Sequence, residues 1–164
     1  MIGLRIAKEE DIPAIRNIGI TTYGPTYVHL LGQEQVDYML DKFYSKGALL
    51  AQLMEGHIFL IAEEDGEDLA FASYSTVAHE VGVFKLHKLY VLPGAHGKGL
   101  GKFLINEVAD KARQAGGKWL QLNVNRYNKA KDFYEKAGFK IKETVDIAIG
   151  NGFFMNDYVM ELAL

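Results

Sequence analysis

The sequence has no cysteine among its 164 residues. This absence excludes a disulfide scaffold, a zinc or iron–sulfur site with cysteine ligands, and a thiol nucleophile. No apolar run approaches the ~18 residues that a membrane helix needs, and residues 1–19 lack the apolar core of a signal peptide. With 49% hydrophobic and 24% charged residues, the chain is expected to form one cytoplasmic globular domain, residues 1–164.

Charge is distributed unevenly along the chain, although the net charge is only -3. Residues 98–142 contain 11 basic and 4 acidic side chains, a net of +7, which leaves -10 for the remainder. A basic segment in an acidic protein indicates either solvated helix faces or a compact polyanionic ligand such as a phosphorylated cofactor. Nucleic acid is disfavoured, because the overall field repels it and no groove-reading motif is present.

Hydrophobic periodicity predicts an α+β fold. Strands are predicted at 4–7, 57–62, 69–77, 81–92, 119–125, 140–149 and 153–162, and helices from Asp11 as N-cap, across 36–43, at 45–54, at 99–115 and at 128–137. Residues 21–32 are expected to form a loop because they contain Gly24-Pro25. The strands before and after the 99–115 helix are expected to be parallel, within a mixed, mostly antiparallel twisted sheet that carries helices on both faces.

A glycine-rich segment at 96–101 lies between a predicted strand and a predicted helix. Glycines allow successive backbone N–H groups to turn toward one anion, and the positive end of the helix dipole adds to this attraction. The segment lacks the lysine of a P-loop, where Leu100 stands, and the spacing of a dinucleotide-binding fingerprint. It therefore favours a pyrophosphate ligand over a turn that merely caps a helix.

Residues 86–139 resemble the core of the GCN5-related N-acetyltransferase (GNAT) family. The matching elements are the lead-in 89–93, the loop His96-Gly97-Lys98-Gly99-Leu100-Gly101, and a second block with Asn123-Val124-Asn125, Asn128, Ala130, Phe133-Tyr134 and Gly138-Phe139. The opening 5–15 is similar to the first strand and helix of the family, and residues 150–160 resemble the polyamine acetyltransferase subset. One departure is His96, which stands where the family prefers glutamine or arginine.

The resemblance implies that acetyl-CoA is the acetyl donor and that no metal takes part. Backbone groups of the strand would pair with the pantetheine arm and polarise the thioester carbonyl, and the loop would hold the pyrophosphate. The residues implied in cofactor binding are Leu89, Tyr90, Val91, His96, Gly97, Lys98, Gly99, Leu100, Gly101, Lys102, Asn123, Asn128 and Lys131.

The same resemblance implies that Tyr134 is the general acid that protonates the departing thiolate. The alternative is a core aromatic residue beside Phe133. A primary amine has a pKa of about 10.4, so its deprotonation at pH 7 costs about 4–5 kcal/mol and requires a base or an apolar pocket. Many relatives carry a glutamate on the strand before the loop, but residues 84–88 contain no carboxylate. His87 is the titratable substitute there, with an ordinary strand histidine as the alternative.

The acceptor is expected to bind between the early helices and the late hairpin. Tyr23, Tyr27, His29, Phe154 and Asp157 lie in these segments, and aromatic and acidic groups suit a cation. A small-molecule amine is therefore the expected partner, with a polyamine favoured, for a monomer or homodimer that binds neither nucleic acid nor membrane. The alternatives are a protein or peptide N-acetyltransferase, a non-catalytic acyl-CoA-binding regulatory module, and a nucleotide-binding protein with a degenerate loop.

Overall fold

The structure is a computed structural model that describes residues 1–164. Its helices are α1 (Ile12–Leu31), α2 (Gln33–Tyr44), α3 (Lys46–Met54), α4 (Leu100–Gln114) and α5 (Ala130–Lys136). Its strands are β1 (Gly3–Ile6), β2 (Ile58–Glu64), β3 (Glu67–Thr76), β4 (Val83–Val91), β5 (Trp119–Asn125), β6 (Lys140–Gly150) and β7 (Phe153–Ala163). Short 3-10 turns occupy Glu9–Asp11 and Pro93–Ala95.

The strands form a mixed sheet in the order β1-β2-β3-β4-β5-β7-β6. The β4 and β5 strands are parallel, as the helix between them requires, whereas β1/β2, β2/β3, β5/β7 and β6/β7 are antiparallel. The predicted α+β class and the predicted parallel pair are therefore confirmed.

Two compact units share the chain. The first unit comprises Met1–Ser75 and Lys88–Asn106, and the second comprises Thr76–His87 and Glu107–Leu164. The division falls within β4 and within α4, so each unit contains part of both elements.

The core of the first unit is built from the apolar faces of α1 to α3 and from β2 and β3. Its largest fully buried side chains include Ile12, Ile15, Ile18, Leu49, Phe59, Leu60, Ile61 and Phe71, with Leu100, Leu104 and Ile105 from α4. At the start of this unit the Arg5 guanidinium bonds Glu63 at 2.6 Å and Asp68 at 2.7 Å. The Asp11 carboxylate accepts a bond from the Lys8 backbone N–H, which lowers the Asp11 pKa. Asp11 is the N-cap residue of α1, as predicted, but its side chain makes no hydrogen bond to that helix and stabilises the preceding turn instead.

The predicted loop at 21–32 was also wrong, because α1 continues through it to Leu31. Pro25 lies inside the helix, and the hydroxyls of Thr22 and Thr26 donate to carbonyls one turn back, at 2.6 and 2.8 Å. The Tyr23 ring is buried, with its centroid 4.5 Å from that of Tyr27. Burial of this aromatic face outweighs the local preference of Gly-Pro for a turn.

The second unit is dominated by the β6/β7 hairpin and by β5, which pairs with β7. The hairpin turns at Asn151 and Gly152, whose φ angles are 55° and 78°, the conformation that a two-residue hairpin turn with right-handed strand twist requires. Alternate residues of β5, Leu120, Leu122 and Val124, are buried. Gly117 begins the return to the sheet in a position where an added Cβ would lie 2.8 Å from the Phe84 ring.

We expect Gly19→Ala to destabilise the protein by about 1–3 kcal/mol, because overpacking displaces neighbouring groups. An alanine Cβ at this position in α1 would lie 2.4 Å from Cε1 of the buried Tyr44. Urea denaturation followed by circular dichroism measures the free energy of unfolding. Gly47→Ala in α3 is the control, since nothing lies within 4 Å of its Cβ, and a gain of up to about 1 kcal/mol is expected there. Equal stability of the two variants would contradict the packing assignment.

Candidate active site

The glycine-rich loop follows β4 in the first unit and begins α4. Gly97 and Gly99 have φ angles of 88° and 75°, in the left-handed region that side chains rarely adopt. An added Cβ at either position would meet no atom within 4 Å. The backbone conformation, and not a lack of space, therefore explains why glycine stands at these two positions.

The backbone N–H groups of this loop are available for a ligand. The amides from Gly97 to Lys102 donate to no backbone or side-chain acceptor in the structure. Three of them are the first amides of α4, where the positive end of the helix dipole lies. Exposed Lys98 and Lys102 add positive charge. This arrangement suits a pyrophosphate, so the residues present fit the phosphate end of acetyl-CoA.

His96 bonds back to the strand that precedes it. Its Nε2 lies 3.1 Å from the carbonyl oxygen of Val91, and only an Nε2–H can donate to that oxygen. The imidazole thus joins the end of β4 to the loop. The imidazole is therefore placed to hold the loop, while the loop amides remain available for an anion.

The side chain of Tyr90 points into the first unit. Its ring centroid lies 5.8 Å from that of Phe71, 6.0 Å from Tyr44 and 6.2 Å from Tyr23. Burial raises the pKa of the Tyr90 hydroxyl well above 10.0. The backbone of Tyr90, and not its side chain, is therefore suited to pairing with a pantetheine chain. Leu89 and Val91 on either side are partly exposed.

Lys88 is a buried charged residue that the sequence reasoning missed. It is only 9% exposed, and its Nζ donates to Oε1 of Gln52 at 2.8 Å. The ammonium also lies 5.3 Å from the Tyr44 ring centroid and 6.0 Å from that of Phe59. Burial lowers the Lys88 pKa from 10.5 to about 8. Alternation along a strand places Lys88 on the face opposite to that of His87, and this was the signal in the sequence that its side chain is buried.

The early acceptor candidates lie on α1. Tyr23 is buried, and its hydroxyl donates to Sδ of Met39 at 3.3 Å. Tyr27 packs on Tyr23 and is half-buried, and His29 is exposed in the last turn of the helix. Tyr23 therefore has a packing role, and the other two residues offer the more accessible side chains.

In the second unit, Tyr134 is half-buried on α5. Its ring centroid lies 5.4 Å from that of Phe133 and 5.7 Å from that of Phe139. These contacts orient the ring. The side-chain oxygen of Asn128 accepts the Ala130 N–H at 2.9 Å and so stabilises the start of the same helix.

Lys131 forms an ion pair along α5. Its Nζ lies 2.5 Å from Oε1 of Glu135 and 5.9 Å from the centroid of the Tyr158 ring. The Glu135 carboxylate raises the pKa of Lys131, so this lysine stays cationic near neutral pH.

Asp157 is a buried carboxylate on β7. It is 3% exposed, and the Asn123 amide donates to its Oδ2 at 3.5 Å. Burial raises the Asp157 pKa, whereas the Asn123 bond and the charge of Lys85 act in the opposite direction. Phe154 is three positions away on the same strand and so belongs to the opposite face of the sheet. The structure brings Asn123 and Asp157 together and separates Phe154 from them.

Two further kinds of feature, a metal-binding cluster and a membrane-spanning helix, are not found in the structure. No group of three or more histidine, aspartate or glutamate side chains is placed to hold a metal ion. No helix has the length and apolar character that crossing a membrane requires.

Comparison with known proteins identifies the family. The family described as "Acetyltransferase (GNAT) domain" matches residues 55–141. The match covers both the loop and Tyr134 and extends over more than half of the chain. The chain therefore belongs to the GNAT acetyltransferase family, and the resemblance noted in its sequence is confirmed.

Two relatives and one solved structure show the range of similarity. The uncharacterized N-acetyltransferase YhfO of Bacillus subtilis is 36% identical over 100 residues, covering 57% of this chain and 66% of that protein. The spermidine N(1)-acetyltransferase of Thermoplasma acidophilum is 26% identical over 149 residues, 87% of this chain and 91% of that protein. The crystal structure of PaiA N-acetyltransferase from Thermoplasma acidophilum in complex with coenzyme A matches with a TM-score of 0.84 at 25% identity, over 100% of this chain and 99% of that one.

We expect Gly99→Ala to weaken acetyl-CoA binding about tenfold, because a left-handed conformation costs an alanine about 1–2 kcal/mol. Isothermal titration calorimetry with acetyl-CoA measures the Kd. Gly94→Ala is the matched control, since Gly94 is in the same connection, has no positive φ and is equally open to a Cβ. An equal change of Kd in both variants would refute a special requirement at Gly99.

Because Lys88 is buried, we expect the stability of the protein to vary with pH in the alkaline range. The folded protein releases the Lys88 proton near pH 8, whereas the unfolded chain holds it to about 10.5. Between these values the unfolded state binds more protons, so the free energy of unfolding rises with pH, by up to about 3 kcal/mol. We expect Lys88→Met to remove this rise.

The measurement is urea denaturation of wild type and variant at pH 7 and pH 10. The difference between the two proteins isolates Lys88 from other titrating groups. Lys42→Met is the control, because Lys42 lies 5.8 Å from a tyrosine ring centroid but is exposed. Parallel pH profiles for wild type and Lys88→Met would rule out a titrating Lys88.

Proposed function

We propose that this protein is an N-acetyltransferase that moves the acetyl group of acetyl-CoA directly to a small-molecule amine. The observation that carries this proposal is the set of amides from Gly97 to Lys102, which have no acceptor in the protein and surround the start of α4. A GNAT family member with an intact loop of this kind is equipped to hold the pyrophosphate of the donor.

Further residues are proposed to hold the rest of acetyl-CoA. The backbone from Leu89 to Val91 would pair with the pantetheine arm, and the side chains of Asn123, Asn128 and Lys131 would contact its amides and phosphates. The bound donor supplies an activated acetyl group. The +7 charge of residues 98–142 supports this assignment, because coenzyme A carries several negative charges.

Tyr134 and His87 are proposed as the acid and the base. The amine nitrogen forms a bond to the acetyl carbonyl carbon as the carbon–sulfur bond breaks. His87 accepts the proton that the amine loses, and the Tyr134 hydroxyl donates a proton to the departing thiolate. Without cysteine, the chain has no thiol to carry the acetyl group, so direct transfer is the expected route.

The acceptor is proposed to be a small amine. A polyamine is one candidate for this amine, and the spermidine acetyltransferase relative supports this chemistry. An acceptor at the N-terminus of a protein or peptide is the alternative within the same reaction class. We also propose that the chain forms a single domain, is cytoplasmic and is a monomer or a homodimer.

The central experiment measures the release of free coenzyme A thiol from acetyl-CoA in the presence of polyamines, amino acids and N-terminal peptides. Acceptor-dependent thiol release is expected. Tight acetyl-CoA binding with no release from any acceptor would instead support a non-catalytic acyl-CoA-binding module. An absence of acetyl-CoA binding would overturn the proposal.

We expect Tyr134→Phe to lower kcat about 100-fold and to leave the Kd for acetyl-CoA within about twofold, because it removes a proton donor but keeps the ring. Thiol-release kinetics and calorimetry measure the two quantities. Tyr127→Phe is the control, since Tyr127 is exposed in the turn before α5, and full activity is expected there. An unchanged kcat in Tyr134→Phe would remove this hydroxyl from the mechanism.

A further inference from the structure

One face of the sheet in the second unit collects polar side chains from three neighbouring strands. Lys85 is the partner of Gln121 in the β4/β5 register, and Asn125 is the partner of Asp157 in the β5/β7 register. Partners in a sheet project to the same face, and alternation places His87 beside Lys85 and Asn123 between Gln121 and Asn125. Lys85, His87, Asn123 and Asp157 therefore share a face.

Asp157 has fewer hydrogen bonds than a buried carboxylate needs. An ionised carboxylate has about four acceptor positions, and buried charges are normally paired. Asp157 is 3% exposed, yet its side chain has only the Asn123 amide as a partner, at 3.5 Å, the outer limit for a hydrogen bond. The neighbouring cation Arg126 is bonded to Asp146 at 2.6 Å instead. Asp157 thus retains capacity for a cationic donor.

Lys85 presents the complementary charge. Its side chain is half-buried on the shared face and forms no ion pair within 4 Å in the structure. Burial lowers the pKa of Lys85, and the charge of Asp157 opposes this effect. Lys85 and Asp157 thus place opposite charges on one face without bonding each other, whereas Glu161 on the same face already accepts a bond from Gln121.

We propose that Asp157 and Lys85 bind the ammonium and the carboxylate of an α-amino acid, which makes a zwitterionic amino acid the acceptor of this acetyltransferase. This assignment rests on the proposed function and refines its acceptor. A polyamine brings only positive charges, so it would gain from Asp157 but would be repelled by Lys85. A peptide N-terminus lacks the neighbouring carboxylate and would leave Lys85 without a partner. His87, next to Lys85 on the same face, remains the base for the amine proton.

The test compares α-amino acids with close analogues that lack the carboxylate. Neutral, acidic and basic α-amino acids, each paired with its α-carboxamide, and spermidine are assayed with the full chain by thiol release from acetyl-CoA. We expect at least one amino acid to exceed its amide in kcat/KM by about tenfold or more, because the amide lacks the charge-assisted bond to Lys85. Spermidine is expected to be poorer than that amino acid.

Variants separate the roles of the two charges. We expect Lys85→Gln to raise KM for the amino acid about tenfold and to abolish its advantage over the amide. Asp157→Asn should raise KM for the acid and for the amide alike. Lys140→Gln is the control for the loss of one positive charge, because Lys140 is exposed at the start of β6. Its acid-to-amide ratio should equal that of wild type.

The outcomes distinguish the acceptor assignment from the reaction itself. Thiol release with spermidine or with amides at rates equal to or above those of every amino acid would overturn the acceptor assignment and keep the acetyltransferase. A wild-type acid-to-amide ratio in Lys85→Gln would also overturn it. An absence of thiol release with every acceptor would overturn the proposed function, and the acceptor assignment with it.

Discussion

Backbone amides must be hydrogen-bonded or solvated, and the segment between β4 and α4 leaves several of them without any acceptor in the protein. Two glycines in left-handed conformation allow this, since they turn the chain sharply just before α4 begins. The His96 imidazole joins the loop to the Val91 carbonyl and so supports the same geometry. An anion at this point satisfies the amides and the helix dipole together.

Two charged side chains of the molecule, Lys88 and Asp157, are buried. Lys88 lies among aromatic rings with an amide oxygen as its partner, and Asp157 has one long hydrogen bond. Both arrangements cost stability, because desolvation disfavours a charged group that lacks a close counter-ion. Lys88 acts within the aromatic packing of the first unit. Asp157, by contrast, shares its face with Lys85 and His87, and its incomplete hydrogen bonding supports the proposed amino-acid site.

Much of the fold was predictable because local patterns and burial agree. The alternation in 119–125 gave β5 its correct bounds, and Gly150-Asn151-Gly152 correctly marked the β6/β7 hairpin. The helix predicted at 45–54 is present as α3, and the Ser45 hydroxyl caps it by accepting the Ala48 N–H. The segment 21–32 was mispredicted because Gly24-Pro25 favours a turn locally, while Tyr23 stabilises a helix by packing against Tyr27 and Tyr44. The energy of that packing is a tertiary contribution that a local pattern does not contain.

The sequence by itself determined the family, the glycine loop and the identity of the candidate acid, since these depend on residue types at fixed spacing along the chain. It also excluded a thiol intermediate, because it contains no cysteine. Only the tertiary structure decided that Lys88 is buried, that Tyr90 points into the aromatic core and that Asp157 shares a face with Lys85. The physical reason is that burial and strand register join residues far apart in the chain, and these contacts set desolvation and charge pairing.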